Sequence, residues 1–403
     1  MQICEQTTCL RCSFPNSSSQ KKCKICQYPL DAVVDLNLNV ASTDESSSKK
    51  VAKSKIYSLY KDKRKATKST SVIGNFLLIA ALLTSSISLG TFIVKYVTNS
   101  SFSNRHKALN KSGDIKLYDT MADVPNVPAG TYSYGGATCF AALQRDGMNT
   151  AIEKAHPNFQ LRYVEPIHSN PGCTTGINML INGELTIAQN SRPLLESELE
   201  AAKLRGFELD SVPVAIDGVV FYLNKSVGIK SLTLDQLRDI YQGKITNWKE
   251  VGGQNMPITP ISLDPQIDSI LRLLMETEDD PAIDEAVVIV RDYTTAIRKT
   301  ASTLGGISYA SSAILRGQQS IEPIGLAADK NSPAVSALLA DGSVNLQAFK
   351  KNYYPLTRSL SIVFRRDNTP NQQAAVAYTN LLLSKEGQKI VEQAGMVPIY
   401  YDW

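Results

Sequence analysis

SVPVAIDGVVFYLN, residues 211–224, is the stretch from which the rest of the chain can be laid out. It is apolar and rich in β-branched residues, the composition of a strand buried on both faces in the middle of a sheet. Asp217 and Gly218 interrupt it, and an aspartate followed by a glycine is turn chemistry. The run therefore reads as a central strand broken at 217–218, with Asp217 either a hinge residue or a plain turn residue.

Strand and helix patterns alternate on both sides of it. FQLRYVEP (159–166) alternates like a strand, LTIAQNSRPL (185–194) reads as a buried strand entering a polar loop, and GGISYASS (305–312) is a glycine-led strand. In SLTLDQLRDIYQG (231–243), Leu234, Leu237, Ile240 and Tyr241 fall at helical spacing, with Ser231 or Thr233 as the cap. The segment 372–395 reads as two amphipathic helices. From about residue 115 to Trp403 this alternation predicts an α/β domain.

The N-terminal part differs. Residues 1–70 hold thirteen Lys and Arg against six Asp and Glu, whereas the remainder holds twenty-nine against thirty-two. Residues 72–94, VIGNFLLIAALLTSSISLGTFIV, carry no charge over 23 positions, enough at about 1.5 Å per residue to cross roughly 30 Å of hydrocarbon. Nine Lys and Arg with a single acid, Asp62, lie between Lys49 and Lys68, just before this span. The excess of positive charge places the N-terminus in the cytoplasm and the C-terminal domain outside. Cys9-x-x-Cys12 and Cys23-x-x-Cys26 offer two thiolates each, the spacing of a tetrahedral zinc site. They resemble the short zinc ribbons that open some bacterial membrane proteins, although Ser13 and Gln27 stand where knuckle glycines are usual; Cys4 has no place in this scheme. A ribbon without metal, or plain reduced thiols, is the alternative. No interleaving of aromatic and basic residues points to nucleic acid.

Three loops of the outer domain share small hydroxyl residues ahead of a helix: YGGATCFAAL (134–143), NPGCTTGINML (170–180) and AQNSRPL (188–194). Hydroxyls, unpaired N–H groups at helix starts and the forked arginine Arg192 are the groups that hold an oxyanion. No Ser/His/Asp or Cys/His constellation suggests catalysis.

SRPLLESELEAA, VPVAIDGVVFYLN, LTLDQLRDIYQGKITNWKEVGG, GGISYA, YPLTRSL and LLLSKEGQKIVEQAGMVPI together resemble the substrate-binding protein of the phosphate ABC transporter. The resemblance covers residues of about 115–403 and implies an α/β, two-lobed type II periplasmic-binding-protein fold closing on phosphate. Together with the N-terminal readings above, it gives the domain order 1–30 zinc-ribbon-like, 31–71 basic linker, 72–94 transmembrane helix, 95–114 stalk and 115–403 binding domain. One lobe would comprise about 115–212 and 305–403, the other about 213–304.

Carried over residue by residue, it implies an oxyanion set of Thr138, the Cys139 backbone, Cys173, Thr174, Thr175, Ser191 and Arg192. A fourth loop implies Asp268 and Ser269. There the family's arginine and glycines are missing from Ile261-Ser262-Leu263-Asp264-Pro265-Gln266-Ile267-Asp268-Ser269, and Asp268 stands where backbone would approach the anion. Either Asp268 accepts a phosphate hydroxyl, or the second lobe does not grip phosphate in the family's way. Cys139 and Cys173 would face one cleft, close enough to bridge or nearly touch. The function implied is a membrane-tethered, non-enzymatic receptor capturing phosphate or a related oxyanion for an ABC permease outside the cytoplasm. The alternative is a degenerate sensor or scaffold acting through its zinc ribbon.

Overall fold

Glu208–Leu223 forms one strand of 16 residues, unbroken at Asp217-Gly218. The expected interruption is absent because both residues are paired: Arg358 lies opposite Asp217, and Thr357 opposite Gly218, on an antiparallel neighbour. Gly218 serves a close contact and makes no turn. A Cβ there would lie 2.1 Å from Cζ of Phe349, so only glycine lets that ring rest on the strand.

The computed structural model describes residues 6–8, 15–17, 114–277 and 279–399. The main strands are β1 (Gly130–Gly136), β2 (Phe159–Tyr163), β3 (Ile187–Asn190), β4 (Glu208–Leu223), β5 (Thr259–Leu263), β6 (Val288–Val290), β7 (Gly306–Ser311) and β8 (Thr357–Arg366). They run in the order β2-β1-β3-β8-β4-β7-β5-β6. At one end β1 is parallel to β2 and β3; at the other β5 is parallel to β6 and β7. The antiparallel strands β8 and β4 stand between the two ends.

Two apolar cores form on either side of this crossing. Val212, Val214 and Ala215 of β4 pack with Phe140, Phe159, Leu360, Phe364 and Tyr378 in one; Val219–Leu223 pack with Trp248, Ile261 and Tyr309 in the other. One strand thus passes from the first core to the second at residues 216–218, where the lobes divide. The return to the first lobe, expected at residue 305, comes later. β7 pairs with the second half of β4, and Ile321, Ile324, Phe349 and Leu356 all join the second core. The chain re-enters the first lobe with β8.

The helices that matter here are α1 (Cys173–Asn182), α2 (Glu196–Leu204), α3 (Leu234–Tyr241), α4 (Ile270–Met275), α5 (Tyr293–Ser302), α6 (Pro370–Leu383) and α7 (Lys385–Gln393). Of the two caps expected for α3, Thr233 is used: its hydroxyl accepts from the Gln236 N–H at 3.1 Å. The helix α6, expected to be amphipathic, buries Ala374, Ala375 and Ala377–Leu383, because it fills the first core rather than covering it. Trp248 is fully buried in the second core and donates its indole N–H to the Gly305 carbonyl at 3.0 Å.

Near the N-terminus, Gln6–Thr8 and Pro15–Ser17 pair as an antiparallel hairpin. The expected zinc ligands Cys9, Cys12, Cys23 and Cys26, the basic linker and the span 72–94 lie outside the described residues. Among the described residues, no helix is long and apolar enough to cross a membrane.

Candidate anion site between the lobes

The turn at Asn170-Pro171-Gly172 leads into α1 at Cys173, as the sequence suggests. The first N–H and both threonine hydroxyls at this helix start are nevertheless taken by protein. The Cys173 N–H donates to the Ile267 carbonyl of the other lobe at 3.1 Å, and the Thr174 hydroxyl donates to the Gln266 carbonyl at 2.8 Å. The Thr175 hydroxyl reaches the Asn170 and Gly172 carbonyls at 3.0 and 3.1 Å. Gly172 makes the approach feasible, since a Cβ there would lie 2.2 Å from Cγ2 of Ile267. The loop 264–269 therefore seals the place where this helix start would hold an anion.

Asp268 is committed as well. Its Oδ1 accepts from the Tyr293 hydroxyl at 2.7 Å and its Oδ2 from the Ile270 N–H at 2.9 Å. The carboxylate thus stays within its own lobe, bonded to α4 and α5. The Ser269 side chain, by contrast, reaches across, with its Oγ 3.0 Å from Oγ of Ser191.

Arg192 lines the cleft but is held in a fork. Its Nη1 and Nη2 bond Oε2 and Oε1 of Glu198 at 2.9 and 2.5 Å, and both side chains are nearly fully buried. Glu198 also accepts the Leu195 N–H at 2.9 Å, capping α2. The arginine expected as a ligand therefore serves first to anchor a helix.

The central cation is one that loop reading missed, Arg358 on β8. Its Nε donates to Oδ2 of Asp217 at 3.1 Å. Nη1 lies 3.3 Å from Oγ of Ser191 and 3.2 Å from Oγ of Ser269, so it joins a serine from each lobe. Nη2 is buried and has no hydrogen-bond partner. Only 3% of Arg358 and none of Asp217 is exposed. Asp217 is neither turn nor surface: its Oδ1 accepts the Ser311 hydroxyl at 2.7 Å. Burial pushes its carboxyl above the usual range while Arg358 and Ser311 pull it down. Burial opposes the charge of Arg358, but the acidic groups around it, Asp217 and Asp268 among them, outweigh that and keep it a guanidinium. The signal was present: Arg358 is set two positions into TRSLSIVFRR (357–366), ahead of six uncharged residues, while the other two arginines close the strand.

Of the two arrangements expected for Cys139 and Cys173, a bridge or a near contact, the bridge is not formed: both are buried free thiols. The Cys173 sulfur lies 3.2 Å from Oγ of Ser191 and accepts the Ser191 N–H at 3.4 Å, which orients that serine. Cys139 sits in the short 3-10 turn Thr138–Phe140, where burial pushes its thiol up to about 12. Thr138, which opens that turn, is half-buried.

Beside these groups lies a cavity of about 480 Å³. Ser191, Arg192, Ser269, Arg358 and Ser359 line it, together with Leu194, Leu195, Leu234, Leu273, Leu356 and Tyr353. Thr138, Cys139, Cys173, Thr174, Thr175 and Asp268 are not part of its lining.

Two α/β lobes threaded by paired crossing strands, with a serine from each lobe meeting at a buried arginine, define the two-lobed fold of the periplasmic-binding-protein class. Residues 126–386 match the family model described as a PBP superfamily domain, and the chain belongs to that family. It is similar to the phosphate-binding protein PstS of Borreliella burgdorferi, 28% identical over 280 residues that cover 66% of this chain and 89% of that protein. The PstS of Pseudomonas aeruginosa is 24% identical over 247 residues, covering 57% and 72%. Among solved structures, a putative phosphate ABC transporter substrate-binding protein with bound phosphate from Clostridium perfringens shares the fold. It aligns with a TM-score of 0.54 and 22% identity, over 67% of this chain and all of that one. These relatives are binding proteins, not enzymes.

Proposed function

We propose that this protein is an extracytoplasmic receptor that closes its two lobes on phosphate or a related oxyanion and hands it to an ABC permease. Residues 72–94 tether it to the membrane, which raises its effective concentration near that permease. The observation that carries the reading is Arg358: a fully buried guanidinium with an unpartnered Nη2, joined to Ser191 of one lobe and Ser269 of the other. A buried donor without a partner costs about 1–3 kcal/mol or more when charged, and an anion between the lobes would satisfy it. The resemblance to phosphate-binding relatives supports the choice of oxyanion.

Isothermal titration of the full chain, kept in detergent, with inorganic phosphate tests this. Binding that is lost in Arg358→Gln is the expected result. No heat at millimolar phosphate or at any phosphate ester would sink the proposal. A second reading, a sensor or scaffold closed without ligand, is favoured by the Ile267 carbonyl on the Cys173 N–H. Under either reading, Cys9, Cys12, Cys23 and Cys26 hold one structural zinc; the hairpin of Gln6–Thr8 and Pro15–Ser17, whose strands flank the first cysteine pair in sequence, supports this. Zinc analysis of the full chain against Cys9→Ser with Cys12→Ser tests it, and equal metal content in both would refute it.

A further inference from the structure

We infer that the anion taken here carries an apolar body, so that the ligand is a phosphate monoester with an apolar substituent rather than inorganic phosphate alone. The inference rests on the reading of Arg358, Ser191 and Ser269 as the anion site, and it extends that site into the adjoining cavity.

Size is the first argument. A cavity of about 480 Å³ falls within the roughly 300–1,000 Å³ of sites that enclose drug-sized ligands. A bare oxyanion held at Arg358 would occupy only a small part of it, leaving the leucine-lined part without a ligand contact. The second argument is the gradient of chemistry along the lining. Ser191, Ser269, Arg358 and Ser359 are all deeply buried, and Ser359 Oγ, like Arg358 Nη2, has no partner. Leu194, Leu195, Leu234, Leu273 and Leu356 supply apolar wall. At the exposed rim stands Tyr353, with 66% of its surface accessible.

The further cations of the lining are already engaged by carboxylates. Arg238 gives its three nitrogens to the Leu274 carbonyl, Asp235 and Glu276, and Arg272 pairs with Asp280, so neither is the natural seat of a second anionic group. The third argument is direction. On the side of α1, the Ile267 and Gln266 carbonyls of loop 264–269 are hydrogen-bonded to Cys173 and Thr174, whereas the cavity opens on the side of the leucines. A substituent on an anion held by Arg358 and the two serines is directed into the leucine-lined cavity.

Phenyl phosphate and inorganic phosphate, titrated separately into the full chain by calorimetry, decide the matter. One methylene in an apolar pocket is worth about 10–200-fold, so phenyl phosphate is expected to bind at least about tenfold more tightly. Leu273→Ser is expected to reduce that ratio. Equal or tighter binding of inorganic phosphate would overturn the inference and leave the anion-site reading standing. An unchanged ratio in Leu273→Ser would overturn it also. Binding of neither compound would overturn both the inference and the reading beneath it.

Discussion

Replacing Arg358 by methionine removes the cation from a pair in which neither side chain is more than 2% exposed. Asp217 is left in the second half of a buried crossing strand, with Ser311 and Ser312 as its remaining hydroxyl partners. Breaking a buried ion pair from one side costs about 3–5 kcal/mol, because the other charge stays desolvated. For a domain of this size each kcal/mol moves the melting temperature by about 2–4 °C, so the expected loss is roughly 6–20 °C. The loss should depend on pH in a defined direction. Burial raises the folded-state pKa of Asp217, and removing Arg358 takes away the strongest influence lowering it. A carboxyl whose folded pKa lies above its unfolded value loses stability as pH rises between the two and regains it as pH falls. The deficit of Arg358→Met should therefore shrink as the pH is lowered from neutrality through the raised Asp217 value. Adding Asp217→Asn removes the orphaned charge while keeping an acceptor for Ser311, and should restore most of the stability at neutral pH. Thermal unfolding followed by circular dichroism at several pH values reads all of this. A single variant within about 1 kcal/mol of the parent, or a double variant as unstable as the single, would refute the pairing as the organising contact.

Three further outcomes follow from the same packing. Cys139, its thiol pushed up to about 12 by burial, should resist alkylation by iodoacetamide at pH 8 in the folded protein and react after unfolding; mass spectrometry of the peptide checks this, and ready labelling of the native chain would contradict it. Gly218→Ala places a Cβ 2.1 Å from Phe349 and should destabilise by about 1–3 kcal/mol, with recovery on adding Phe349→Leu; a neutral single variant in urea unfolding would show that the ring can move aside. Gly172→Ala sets a methyl 2.2 Å from Cγ2 of Ile267 and 2.8 Å from its carbonyl oxygen. It should break the inter-lobe bond to Cys173, so amide exchange at 264–269 should accelerate, and unchanged protection would argue against the seal.

The elements were largely legible because their causes are local. Alternation marks Phe159–Tyr163 as a strand, a hydroxyl cap at Ser231 or Thr233 marks the start of α3, and Asn170-Pro171-Gly172 marks the start of α1. Each depends on residues within a few positions of one another. The candidate site was less legible for the opposite reason. Arg192 has the right chemistry for an anion, yet Glu198, six residues on, consumes its fork. Thr174 and Thr175 have the right hydroxyls, but carbonyl oxygens within reach accept them. Arg358 lies 141 residues from Asp217, and no loop motif announces it.

The sequence by itself determined that strands and helices alternate, that VPVAIDGVVFYLN lies at the centre of the sheet, and that NPGCTTG opens a helix. Periodicity, turn chemistry and caps act over one or two helical turns, and they need no knowledge of the fold. Only the tertiary structure decided what those parts face. It kept the central strand whole at Asp217-Gly218, because the partner strand brings Arg358 opposite the aspartate. It left Cys139 and Cys173 as separate thiols and gave the Cys173 N–H and the Thr174 hydroxyl to the loop that carries Ile267. Buried polar groups must find partners wherever the fold puts them, so the identity of an anion-binding residue is set by which donors the folded protein leaves unpaired.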